Sequence, residues 1–522
     1  MYRIKLFATV IAFALIFGTG CDDLFDTDPS TSVPGEHVVS DAEGVRAMRA
    51  NMYHRMIRSS THTTSYMIQP DALAGNTANR DGSTRLSSSV DTRAGDGATT
   101  HMSPYSAGYY ITSRRANNII GLVEPEEVDG LSEAEGARYQ AEAYAMRAFT
   151  WHNIARTYAY DPGTQGAQDW PLGIVLHTEP TTDAEEAEAS AAPRASIEET
   201  YDQILDDLAN AKAIFEEYGD AGNNAFISEE FVEGMKARVQ LYNRNWSEAA
   251  QHAEEALAIF GDGLVDTEDE VMNMFSEMQL VSTDEGEYLD NVQEGDHPEA
   301  FWKLDPHPQD EQIAGSNSND GLSVYTTERW LAQLPTDEVI DNYEDDDYRL
   351  NWYAECYSIH DSSFLDGCTE ANENGYALHK YTGANGNQSD NIPYMRAAEM
   401  YLILAEAEAK ATNDPGSGLP YLNDLREARG LDALDANDFD NMEEFEDEIL
   451  DERNRELIYE GHRFYDLKRL ERDIPMNDGT TKFSWDSHRI LSNIGTSTLG
   501  SNPELCQNPG YELFDENPDH CP

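Results

Sequence analysis

The chain is predicted to be mostly α-helical: tetratricopeptide-like helical hairpins form a scaffold that carries an irregular, loop-rich lobe. Three observations predict this. Apolar residues recur at helical spacing through much of residues 41–260 and again after residue 391. Helix-capping signals stand where several of those runs begin. Two long stretches, 261–343 and 351–391, are instead rich in Gly, Asn, Asp and Pro, and loops of that length usually carry function.

Taken in order, "DAEGVRAMRANMYHRMIRS" (41–59) places Val45, Met48, Met52 and Met56 on one helical face, with Asp41 as N-cap. "AEGARYQAEAYAMRAFTWHNIARTYA" (134–159) reads as a long amphipathic helix rich in Ala and aromatics. "SIEETYDQILDDLANAKAIFEEY" (196–218) opens with Ser196 and Glu199 at capping-box spacing. "SEEFVEGMKARVQLYNRNWSEAAQHAEEALAIF" (228–260) reads as two helices around "NRNW". Its small residues Ala249, Ala250, Ala253 and Ala256 would let a partner helix approach closely, as in tetratricopeptide hairpins. "YMRAAEMYLILAEAEAK" (394–410) and "GLPYLNDLREARG" (418–430) form a similar pair. "TERWLAQL" (327–334) also reads as helix.

Composition excludes whole classes of partner. The formal net charge is -64, from 99 acidic and 35 basic residues, and only eight of the latter are Lys. Acids are spread along the chain, so the surface repels nucleic acid and anionic lipid, and a nucleic-acid partner is discarded. Such a surface suits a high-salt habitat, where screening relieves self-repulsion.

The first residues are more specific. Arg3 and Lys5 precede the apolar run "LFATVIAFALIF", and "GTGC" follows. This is the pattern of a lipoprotein signal peptide over 1–20, with Cys21 as the lipid-carrying residue and 21–40 as an acidic tether. Residues 41–522 are expected to form one domain, with a helical part at 41–260, a loop-rich part at 261–390 and a C-terminal part at 391–522. Four cysteines remain: Cys356, Cys368, Cys506 and Cys521. Sequence allows three pairings. Spacing favours two local disulfides, 356 with 368 and 506 with 521, in an oxidising compartment. With no CxxC pair and no paired His nearby, no metal site is expected.

HExxH, GxSxG, P-loop and dinucleotide-binding patterns are all missing. The densest cluster of acids, bases and imidazole is "ILDERNRELIYEGHRFYDLKRL" (449–470). Ile449, Arg453 and Leu457 lie on one helical stripe, and a charge interrupting an apolar stripe must be paired. Arg453 and Arg455 with Glu452, Glu456 and Glu460 are expected to form a buried ion-pair lock, with Gly461 breaking the helix. That is structure, not catalysis.

At this point the residues resemble a family. "ERNRELIYEGHRFYDLKR" (452–469) is similar to the C-terminal signature of the SusD/RagB outer-membrane nutrient-binding lipoproteins. "YMRAAEMYLILAEAEAK", "NPELCQNPGYEL" (502–513) and "PTDEVIDNYEDDDYRL" (335–350) fall in the family's order. The resemblance spans nearly the whole mature chain. Departures are "RILSNIGTSTLG" (489–500), where a proline-rich segment is usual, and the extra tail with Cys506 and Cys521. It implies a SusD-like fold that binds oligosaccharides or, in some members, peptides, without catalysis or an obligatory cofactor. It also implies a partner, a SusC-type TonB-dependent transporter, and a lipid anchor on the outer-membrane surface.

Sugars present apolar faces ringed by hydroxyls, so aromatic platforms beside planar donors mark their sites. Two loop stretches offer both. One contains Asn79, Arg80, His101 and Tyr105; the other contains Asn319, Tyr325 and Trp330.

Overall fold

Helix α1 (Ala42–Ile57) begins where the Asp41 carboxylate accepts the Gly44 amide at 2.9 Å. The computed structural model describes residues 39–57, 63–79, 105–182, 186, 191–261, 263–275, 297–304, 322, 326, 333–355, 376–381, 391–475, 482–511 and 517–522. Beyond α1, the scaffold contains α2 (Tyr105–Leu122), α3 (Glu133–Tyr158), α4 (Ile197–Tyr218), α5 (Glu229–Tyr242) and α6 (Trp246–Phe260). After the loop-rich part come α7 (Ala397–Thr412), α8 (Pro415–Ala428), α9 (Met442–Leu457) and α10 (Arg463–Arg469).

Each of the first eight helices packs on the next in sequence, and α9 packs on α7. The protein is therefore a mostly α-helical stack of hairpins. Helices α6 and α7 are neighbours although residues 261–396 lie between them. The stack thus runs on uninterrupted while the loop-rich part leaves it and returns.

Local signals explain the helix starts. Ser196 accepts the Glu199 amide, and the Glu199 carboxylate accepts the Ser196 amide at 2.8 Å, closing a capping box on α4. Ala249, Ala250, Ala253 and Ala256 are all buried, so α6 presents a smooth strip to its neighbours. Helices α7 and α8 approach closely at Gly418, where a Cβ would fall 2.1 Å from the carbonyl oxygen of Ala405 in α7. Backbone cannot yield cheaply there. Gly418→Ala is expected to cost about 1–3 kcal/mol of stability, read by urea denaturation. A wild-type midpoint would contradict this contact.

The strands are short and paired two by two. β1 (Thr77–Asn79) pairs antiparallel with β3 (Gln333–Pro335), β2 (Ala300–Leu304) with β6 (Ile392–Arg396), and β4 (Tyr353–Glu355) with β5 (Tyr376–Leu378). The core beneath them is aromatic. Trp302 of β2 stacks on Tyr394 of β6 at 4.6 Å, and Phe149 of α3 meets both rings edge-on. Gln333 and Leu334 are extended and paired, so the helix expected over 327–334 does not reach its last two residues.

Cys506 and Cys521 are joined by a disulfide. Cys356 and Cys368 lie outside the described residues, as do Cys21 and the segment around it. No helix among the described residues is long and apolar enough to cross a membrane.

Candidate ligand-binding lobe and its ionic frame

The β1–β3 pair organises the lobe. Its register sets Asn79 opposite Gln333 and Thr77 opposite Pro335. Because the strands are antiparallel, Asn79 at the end of β1 and Gln333 at the start of β3 lie at the same end of the sheet. The two stretches singled out for aromatic and planar polar side chains are therefore rooted side by side.

Of those residues, Asn79 closes β1 and Tyr105 opens α2. Both thus sit at the ends of regular elements rather than within loops; only their backbones are described. Arg80, His101, Asn319, Tyr325 and Trp330 lie outside the described residues. Next to Tyr325, Thr326 is buried and donates its hydroxyl to the carbonyls of Leu322 and Tyr381.

The root of the sheet is bolted to the C-terminal segment. Asn76 donates to Asp71 Oδ1 and to Asn454 Oδ1, both at 2.7 Å, and the Thr77 hydroxyl donates to Gln333 Oε1 at 2.6 Å. Asp71 Oδ2 accepts the amide of Tyr459 at 3.0 Å. Burial drives the Asp71 carboxyl up to about 7, against the pull of these hydrogen bonds. Tyr459 has φ of 59° and Gly461 of 86°, and a Cβ on Gly461 would sit 2.6 Å from the Tyr66 carbonyl oxygen. Helix α9 has already ended at Leu457, with Ile458 extended, so the turn starts before Gly461 rather than at it.

Glu456 is the hub of the ionic frame. It accepts from Arg349 at 3.1 Å, from Arg396 at 3.0 Å, and from Arg429 at 3.0 Å through both Nε and Nη2. Glu299, just before β2, shares Arg396 and Arg429. Glu460 takes Arg396 through Nε and Nη2 and also Lys380 at 2.8 Å. Arg349 adds a bidentate pair with Asp347 and a 2.6 Å bond to Glu452.

All of these side chains are buried. Burial raises the carboxyls of Glu452, Glu456 and Glu460, but the surrounding guanidiniums outweigh it and hold all three low, Glu452 at about 2. The charges join loop-part residues (Glu299, Asp347, Arg349, Lys380) to Arg396, Arg429, Glu452, Glu456 and Glu460. The network fastens the lobe to the stack.

Arg453 differs from expectation. Its Nε donates to Asp466 at 2.8 Å, and Asp466 also takes Arg469, which pairs bidentately with Glu406 of α7. Arg453 thus belongs to a second buried cluster joining α9, α10 and α7 rather than to the Glu456 hub. His462 is buried, and burial beside Arg238 and Arg453 holds its imidazole neutral, a poor start for proton transfer to solvent.

Sequence reasoning missed Asp71, Asn454, Tyr459, Arg349, Arg396, Arg429, Lys380 and Glu299. For Arg396 a signal existed: it is the lone charge in the run "NIPYMRAA".

A helical-hairpin stack thus holds the described part of the lobe by buried charges. The sequence matches the SusD family over residues 324–511 and a family described as starch-binding and associating with the outer membrane over residues 27–220. It is similar to SusD-like protein P38 of Formosa agariphila, 25% identical over 413 residues, which is 72% of this chain and 74% of that protein. In fold it is similar to a SusD superfamily protein from Bacteroides vulgatus, with TM-score 0.71, 19% identity, and 90% and 99% of the two chains covered. A laminarin-binding SusD-like protein superposes with TM-score 0.64 at 18% identity, over 90% and 100% of the chains. The chain belongs to the SusD/RagB family.

Proposed function

We propose that this protein is a cell-surface glycan-binding lipoprotein that captures an oligosaccharide at its loop-rich lobe and passes it to a SusC-type TonB-dependent transporter. Family membership carries the reading, and a laminarin-binding protein among the structural neighbours favours a glycan over a peptide. The ligand surface is assigned to the two stretches rooted at the β1–β3 sheet, with Asn79, Arg80, His101 and Tyr105 on one and Asn319, Tyr325 and Trp330 on the other. Cys21 carries the lipid. The protein acts as a binder, and catalysis is left to other proteins.

Glycan and peptide panels on the purified protein test this reading. Tyr105→Ala and Tyr325→Ala should each weaken the bound glycan about tenfold while leaving the melting temperature within a few degrees. Cys21→Ala should release the protein from the membrane fraction. Binding confined to peptides, or glycan binding indifferent to both tyrosines, would overturn the corresponding part of the proposal.

A further inference from the structure

A cavity of about 490 Å³, lined by no residue of the β1–β3 sheet, lies between the turn after α3, the short helix Gln165–Asp169, α10 and the C-terminal segment. That volume is in the range of small-molecule sites. Three aromatic side chains line it: Tyr160, Trp170 and Trp485. Tyr160 lies flat on the short helix because residue 166 is glycine; a Cβ there would fall 2.3 Å from the ring. The platform is fixed before any ligand arrives.

Two buried groups on the wall lack hydrogen-bond partners. Trp170 is 7% exposed, and its indole Nε1 donates to nothing. Asp161 is 1% exposed, and its Oδ1 accepts nothing. Lys468 lies 2.9 Å from Asp161 Oδ2 and donates to the carbonyls of Arg156 and Ala159. An unmet donor and an unmet acceptor in one buried wall each cost free energy until a partner supplies the complement.

We propose that this cavity is a second saccharide-binding site, taking a neutral, polyhydroxylated sugar unit. A sugar hydroxyl donates to Asp161 and a sugar oxygen accepts from Trp170, while the apolar ring face rests on the aromatic platforms. An alkylammonium would suit the aromatics and acids but has no acceptor for Trp170. An anion is repelled by Asp169 and Asp486 at the rim, and Lys468, the cation among the described residues that line the cavity, is already committed to Asp161. The assignment rests on the chemistry of this cavity and not on the lobe reading.

Calorimetric titration of the full-length protein with cellobiose, maltose, lactose and laminaribiose, and with tetramethylammonium as the cationic control, tests it. At least one disaccharide should saturate the wild type. Trp485→Ala, which removes a half-buried platform, should weaken that binding about tenfold or more. Trp170→Phe keeps a ring and removes the N–H, and should weaken it several-fold at an unchanged melting temperature. In a Tyr105→Ala/Tyr325→Ala double variant, which disables the lobe, a disaccharide should still saturate a site that the further change Trp485→Ala removes. No saturation by any disaccharide, saturation by tetramethylammonium alone, or binding unchanged in Trp485→Ala would overturn the proposal. Loss in the double variant with retention in Trp485→Ala would move the sugar to the lobe, leaving the proposed function standing and the second site refuted.

Discussion

Urea denaturation of Glu456→Ala will give an unfolding free energy roughly 3–5 kcal/mol below that of the wild type. Removing this carboxylate leaves Arg349, Arg396 and Arg429 facing one another in a dry interior. Glu299, Glu452 and Glu460 cannot compensate, because each already serves the same cations. The useful contrast is Glu135→Ala. Glu135 pairs with Arg46 at 2.7 Å, but Arg46 is half exposed, and water screens a surface pair of that kind, so its loss should be far smaller. Equal losses in the two variants would mean that the frame around Glu456 is solvated and that the lobe is held by other contacts.

Acid will dismantle the same frame. The folded Glu452 carboxyl titrates at about 2 against an ordinary value of 4.5. Its contribution is therefore complete above pH 4.5 and is lost as pH falls toward 2. For this one group it amounts to about 3 kcal/mol. Glu456, Glu460 and Asp466 are lowered as well and add in the same direction. Asp71 acts oppositely. Burial raises it to about 7, so the folded chain binds its proton more tightly than the unfolded chain does, and stability declines as pH rises from 3.8 to about 7. Stability against pH should climb steeply from 2 to 4.5 and then sag, and Asp71→Asn should flatten the sag alone. A level profile from pH 2 to 5 would refute the depressed carboxyls.

The helices were legible because their causes are local. The Ser196–Glu199 box and the alanines of α6 lie within a few residues of what they explain, and helical periodicity needs only a short window. The buried lock was legible as a requirement but not as a wiring diagram. A charge in an apolar stripe demands a partner, yet Glu456 finds its partners 107, 60 and 27 residues away, at Arg349, Arg396 and Arg429. With so many acids in the chain, nothing local distinguishes Asp466 from Glu456 as the mate of Arg453. The β1–β3 pair escaped notice because three-residue strands are too short for an alternating pattern to register. Tyr105 read as loop because the preceding residues are rich in Gly, Ser and Thr, and helix α2 opens on it without an acidic first turn.

Because α6 and α7 touch, the residues that bracket 261–396 are brought back together by the stack itself. The loop-rich part is therefore a cassette with matched ends, so its surface loops can drift in length without moving a hairpin. The buried charges set where the cassette can be cut. A graft that carries its own Arg349 and Lys380 brings the cations for Glu452, Glu456 and Glu460, with Asp347 to hold Arg349 and Glu299 to meet Arg396 and Arg429. A graft cut inside that set strands the receiving carboxylates, and the transplanted segment would arrive on a protein that no longer folds.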